Sequence, residues 1–195
     1  MHQALQKNLY LVKEHVGLFK AANNFDIHDA ERGAVVLECR EPNLGFITKL
    51  LRFTDYKRMT PFEIHINTPE GERLLTIRRG WTLLRSKVVV EDSNGTPVGY
   101  FLQKLISIGG SFRVFDMNDK ELCQLTGKWT SWEFTFRMGD MELAKVSKKW
   151  AGLGKELFTS ADNYVLQINN AIQPDNPVRQ MILAAVMCID MVLKE

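Results

Sequence analysis

Three short basic groups stand out in the sequence: Arg78-Arg79, Arg85 with Lys87, and Lys145 with Lys148-Lys149. Clustered arginines and lysines let several donors converge on one phosphate. Trp81, Trp129, Trp132 and Trp150 lie near these stretches, and an indole is suited to an interface between water and an apolar phase. The simpler expectation for the same residues is a solvated rim with tryptophans packed inward, because Lys and Arg are normally exposed.

No other constellation points to chemistry. The chain has no G-x-S-x-G elbow, P-loop, dinucleotide fingerprint or H-E-x-x-H, so no enzyme is expected. Each of His2, His15, His28 and His65 stands alone. His28 lies between Asp26 and Asp29, and alternation would put Asp26 and His28 on one face of a strand, but two ligands do not make a metal site. Cys39, Cys123 and Cys188 are scattered, odd in number and without a C-x-x-C pair. They read as reduced, buried thiols rather than as a disulfide framework or a zinc site. Asn94-Gly95-Thr96 matches a glycosylation sequon and reads as a hairpin turn.

The 195 residues, 45% hydrophobic and 25% charged, are enough for one domain over 1–195 with a substantial core. Lys plus Arg at 25 against Asp plus Glu at 23 is too balanced for nucleic-acid binding by bulk charge. The first residues show no secretory pattern, so the expected location is cytoplasmic, with at most peripheral contact at the inner membrane surface.

Most of the chain is written in short alternating runs bounded by turn residues, which predict strands. FEIHIN (62–67) and RLLTIRR (73–79) form one hairpin, KVVVED (87–92) and PVGYFLQK (97–104) a second, SFRVFD (111–116) and ELCQLTG (121–127) a third. Gly71, Gly95 and Asp119 recur in their turns at 24-residue intervals, where positive φ is wanted. WEFTFRM (132–138) and MELAKVSK (141–148) continue the repeat; LYLVKE (9–14), NNFDIHD (23–29), AVVLECRE (34–41) and YVLQIN (164–169) complete about twelve strands. Residues 44–52 carry the three-to-four spacing of a short helix.

Residues 178–193 are apolar on every face, interrupted only by Arg179, Gln180 and Asp190. At 16 residues this helix is shorter than the roughly 20 needed to span a bilayer. Its length of about 24 Å suits the interior of a large barrel. Pro177 stands where a helix can begin without losing a bond.

The segment KVSKKWAGLGKELFTSADNYVLQI (145–168) followed by VRQMILAAVMCIDMVLKE (178–195) strongly resembles the carboxyl third of the phospholipid scramblase family, through V-S-K-K-W, K-E-L-F-T, A-D-N-Y and I-D-M-V. D-x-x-G-x-x-V-G at 92–99 and Phe112 to Asp116 extend the likeness over Phe62 to Glu195. The resemblance implies a tubby-like fold, a twelve-stranded antiparallel barrel around a hydrophobic carboxyl-terminal helix. It implies movement of phospholipids between leaflets, or else a soluble tubby-like binding or scaffold protein recognising a phosphoinositide or another ligand. Lys148, Lys149 and Trp150, which lie in the resembling motif, join Arg78 and Arg79 as candidates for a lipid head group. The family's proposed calcium loop falls on Ser160 to Ala171, where Asp162 is the one remaining acidic position. Calcium takes six to eight oxygens, several from carboxylates, so a loop leading into a strand is expected there and no cofactor. The proline-rich and cysteine-rich amino tail of animal scramblases has no counterpart in these residues.

Overall fold

The computed structural model describes residues 1–15, 24–42, 45–51, 53–54, 59–82, 86–103, 111–128, 131–148 and 163–193. Among them, twelve strands follow in order: β1 (Leu9–Glu14), β2 (Phe25–Asp29), β3 (Val35–Arg40), β4 (Phe62–Asn67), β5 (Arg73–Arg79), β6 (Lys87–Asp92), β7 (Pro97–Gln103), β8 (Ser111–Phe115), β9 (Glu121–Lys128), β10 (Glu133–Met138), β11 (Met141–Ser147) and β12 (Asn163–Ile168). The short helix α1 (Phe46–Leu51) lies between β3 and β4, and α2 (Val178–Leu193) follows β12. Each strand pairs antiparallel with its sequence neighbours, and β1 closes the barrel on β12, with Leu9 opposite Gln167 and Lys13 opposite Asn163.

Period-two alternation turns one apolar set inward. Ile64 and Ile66 of β4, Leu75 and Ile77 of β5, and Val88 and Val90 of β6 are all fully buried. Side chains of a barrel this wide do not fill its interior by themselves. Here α2 completes the filling: every residue from Met181 to Ile189 is at most 2% exposed. The helix begins on Asn176, whose Oδ1 accepts the Val178 amide at 3.0 Å, with Pro177 between them. Where α2 approaches β7 only glycine fits, since a Cβ on Gly99 would lie 2.6 Å from the Met181 methyl and 2.5 Å from the Phe115 carbonyl oxygen.

The two ends of the barrel differ. At one end five tight hairpins each carry a residue with positive φ: Gly33 (69°), Gly71 (91°), Gly95 (78°), Asp119 (60°) and Gly139 (58°). Each of these hairpins also contains a register shift one or two pairs from its turn, such as that between Val90 and Glu91. Such bulges sharpen twist and help a sheet close. Asp92 Oδ1 accepts the amides of Asn94 and Thr96, and Asp116 Oδ1 those of Asn118 and Lys120, so the repeat has a side-chain basis. Asn94-Gly95-Thr96 is thus a hairpin turn. At the other end most of the strands are joined by longer connections, including 41–61 and 80–86, while four residues join β9 to β10.

Arg179 closes the hairpin end. It is 1% exposed and faces carbonyls rather than a carboxylate. Its guanidinium donates to the carbonyl oxygens of Gln6 (2.9 Å), Lys7 (2.6 Å) and Ile172 (3.0 Å), and to Asn8 Oδ1 (2.6 Å). A 3-10 turn at Gln3–Leu5 is held over the same end by Tyr10, whose hydroxyl donates to the Ala4 carbonyl and accepts the Lys7 amide. The helix therefore enters at the hairpin end and runs toward the long-loop end. Arg179→Met is expected to lower unfolding free energy by about 3 kcal/mol or more, since buried carbonyls left unpaired cost about 1–3 kcal/mol each. Urea denaturation of the two proteins checks this, and an unchanged midpoint would refute the anchoring role.

Candidate head-group site at the barrel rim

The adjacent arginines at the end of β5 point opposite ways. Arg79 faces inward, 4% exposed, over the Phe62 ring at 4.7 Å, and donates to the Thr60 carbonyl (2.5 Å) and Ser86 Oγ (3.4 Å). It ties the connections before β4 and before β6 to the end of β5, so it shapes the rim from within. Arg78 faces outward and is half exposed, with Nε 3.0 Å from Glu63 Oε2 and Nη1 3.3 Å from Glu91 Oε2.

Arg78 lines an open cleft of about 450 Å³ together with Gly80, Trp81, Thr82, Lys87 and Glu91. Trp81 is 62% exposed at its edge. Lys87 lies over the Tyr100 ring with Nζ at 4.2 Å. The Thr82 amide donates to the Met59 carbonyl, which fixes the cleft floor to the neighbouring connection. This places two cations and an indole around one opening large enough for a phosphate-bearing head group. Glu63 and Glu91 neutralise part of that charge; with Arg78 half exposed, solvent screens these pairs, which are worth about 0–1 kcal/mol.

Lys148 belongs to a different place. It follows β11, six strands from β5 in the twelve-strand ring and so on the opposite wall, at the same end. Its Nζ sits 4.2 Å from the centre of the Trp132 ring. Trp132 in turn packs on Tyr164 at 5.5 Å and edge-on to Phe134 at 6.1 Å. The expectation that Trp132 opens the strand is corrected: β10 starts at Glu133, and Trp132 adopts a left-handed backbone with φ of 50°. That turn swings its ring back onto the core instead of along the strand face. Lys149, Trp150 and Asp162 lie outside the described residues, as do Arg85 and Trp129. The candidates on which the structure bears therefore form two rim positions, Arg78 with Lys87 and Trp81 on one wall and Lys148 on the other. The carboxylates facing Arg78 are not legible from sequence pattern, because Glu63 and Glu91 come from strands on either side of it.

Carboxylates of β4 and β2 are held in ion pairs. Glu63 accepts from His65 Nε2 at 2.6 Å, and that bond, reinforced by Arg78 against the cost of burial, holds its carboxyl below the ordinary value. Burial pushes Asp26 upward, but Arg40 (2.6 Å) and His15 (2.7 Å) outweigh it and leave the carboxyl low. Asp29 likewise ends low, its burial outweighed by Lys7 at 2.6 Å and two backbone amides. Groups whose folded values are depressed add stability above their unfolded values near pH 4, and that contribution is lost as pH falls through the folded values. Urea midpoints are expected to hold between pH 7 and 5 and to fall below about pH 4, with Asp26→Asn flattening the acid limb; an acid limb identical in that variant would remove Asp26 from the account.

A twelve-stranded antiparallel barrel closed around its own carboxyl-terminal helix defines the tubby-like class. A protein of Arabidopsis thaliana solved by X-ray crystallography shares the fold with a TM-score of 0.55 at 15% identity, over 94% of this chain and 91% of that one. The Scramblase family model matches residues 7–195, and the chain belongs to that family. It is 23% identical to phospholipid scramblase 1 of Rattus norvegicus over 150 residues, 69% of this chain and 44% of that protein. It is also 23% identical to altered inheritance rate of mitochondria protein 25 of Saccharomyces cerevisiae, over 88% of this chain and 60% of that one. The chain thus spans about half the length of the relatives it matches.

Proposed function

We propose that this protein engages phospholipid head groups from the membrane surface, without a covalent step, and that the rim around Arg78 and Lys87 is one place where it does so. Family membership over residues 7–195 supports phospholipid as the ligand class. The observation that carries the surface mode is the filled interior: Met181 to Ile189 occupy the lumen with at most 2% exposure, so the described residues show no polar path along the barrel axis. No helix among the described residues is long and apolar enough to cross a membrane. Any leaflet exchange the protein promotes would then proceed outside the barrel, through the bilayer it perturbs. The protein acts peripherally at the inner membrane surface, as one unit over 1–195 and without calcium.

Flotation with vesicles of phosphatidylcholine alone or with added phosphatidylserine tests it. Binding is expected to the second kind, unaffected by a calcium chelator and weakened about tenfold by Arg78→Ala/Lys87→Ala, at roughly 1 kcal/mol per basic residue near an anionic surface less the ion pairs released. Absence of binding to both kinds would overturn the proposal. A labelled-lipid exchange assay on the same vesicles separates binding from translocation.

A further inference from the structure

We infer that the long-loop end of the barrel is the face that lies on an anionic lipid surface, with Trp81, Phe53 and Leu50 entering the interface and cations around the whole rim meeting the head groups. The inference rests on the preceding reading and adds orientation and depth to it.

Exposed apolar side chains occur at both ends among the described residues, so exposure alone does not choose. Leu50 (60%), Phe53 (57%) and Trp81 (62%) belong to the connections 41–61 and 80–86, which leave the barrel at the long-loop end and are joined by the Thr82 to Met59 hydrogen bond. Met117, Met138 and Met141 stand at the hairpin end. The two sets differ in kind: aromatic rings favour the interfacial zone of a bilayer, and Trp does so most.

Charge points the same way. The hairpin turns carry Glu31, Glu70, Glu72, Asp116, Asp119 and Asp140 against Arg32 and Lys120, and cations beside the turns are paired, Lys7 with Asp29, Arg113 with Glu121 and Arg137 with Glu142. The long-loop end carries Lys49, Arg78, Lys87, Lys128 and Lys148, on or beside α1, β5, β6, β9 and β11. Six described carboxylates lie near that end: Glu14 ends β1, Glu38 and Glu41 stand at and just beyond the end of β3, Asp26 pairs with Arg40 and His15, Glu63 with Arg78 and His65, and Glu133 sits opposite Lys128 in the β9–β10 ladder. Among the described residues the charge is therefore unequal along the barrel axis, with carboxylates in excess at the hairpin turns and cations slightly in excess at the long-loop end. In the field of an anionic leaflet such a molecule orients with its basic end inward, and the acidic turns are repelled.

The distribution also favours a plane over a single small ligand. Arg78 and Lys148 rise from opposite walls, too far apart around the ring to share one phosphate, yet both meet a flat surface laid across the rim. Apolar side chains between cations add burial to attraction, the combination that holds peripheral proteins on anionic bilayers.

The buried native thiols allow a site-specific test in the full chain. Cys39, Cys123 and Cys188 are at most 2% exposed, and burial raises each thiol, Cys123 to about 12, so they resist labelling in the folded protein. Single cysteines placed at Phe53→Cys, Trp81→Cys, Met117→Cys or Met138→Cys can carry an environment-sensitive fluorophore. With phosphatidylserine-containing vesicles, fluorescence at 53 and 81 is expected to rise and to be quenched by lipids spin-labelled near the head group, while 117 and 138 stay unchanged. Trp81→Ala/Phe53→Ala should weaken vesicle binding by about tenfold or more, from the apolar area withdrawn, and Met117→Ser/Met138→Ser should not. Binding that proceeds with a response at 117 and 138, or with none at 53 and 81, overturns the orientation and leaves surface binding standing. Failure of every unlabelled protein to bind any vesicle overturns both.

Discussion

A twelve-stranded closed sheet has no unpaired edge, but its circumference leaves a lumen that strand side chains alone cannot fill. The rest of this structure follows from how that lumen is occupied. Helix α2 is apolar all round because all of its faces meet inward-pointing strand residues, and the inward residues are small where the helix comes close, as Gly99 does against Met181. A helix in such a place has no polar face through which to fix its depth. Arg179 supplies the fix, using the rigid fork of a guanidinium to gather carbonyls from Gln6, Lys7 and Ile172 at the lumen entrance. Its charge is balanced by oriented dipoles, and burial draws its pKa below the usual arginine value.

Occupation of the lumen also decides where function can reside. A lipocalin-like barrel binds within; a filled one offers its outside and its two rims. The hairpin rim is built for closure, with positive-φ residues, bulges and aspartates folded onto their own turns. The opposite rim holds long connections, aromatic and basic side chains, and the emerging end of α2. Arg79 illustrates the division of labour there: buried beside Phe62 and bonded to Thr60, it sets the shape of a rim on which Arg78, one residue earlier, is displayed.

Much of the fold was legible because its determinants are local. Strands such as 62–67 and 87–92 have period-two alternation, the turns at Gly71, Gly95 and Asp119 repeat, and 178–193 has an apolar run of fixed length. Features that depend on remote partners were not legible. Arg179 looked like an interruption in an apolar helix, since its acceptors Gln6 to Asn8 lie more than 170 positions away; a lone arginine in the first turn of such a helix was the available signal. Trp132 continues the strand pattern in sequence, and nothing adjacent reveals the left-handed turn that packs it on Tyr164. At the rim, alternation alone would have separated Arg78 from Arg79, whereas the pairing of Arg78 with Glu63 and Glu91 required the strand order.

As barrel core, α2 is expected to unfold only together with the strands that enclose it. Native-state hydrogen exchange across a range of low denaturant concentrations tests this most directly. The account predicts that amides of Met181 to Ile189 exchange only through global unfolding, with the same opening free energy and denaturant dependence as those of inward-facing positions such as Ile64 and Val88. Exchange of the α2 amides through a separate, lower-energy opening while the strand amides remain protected would contradict it.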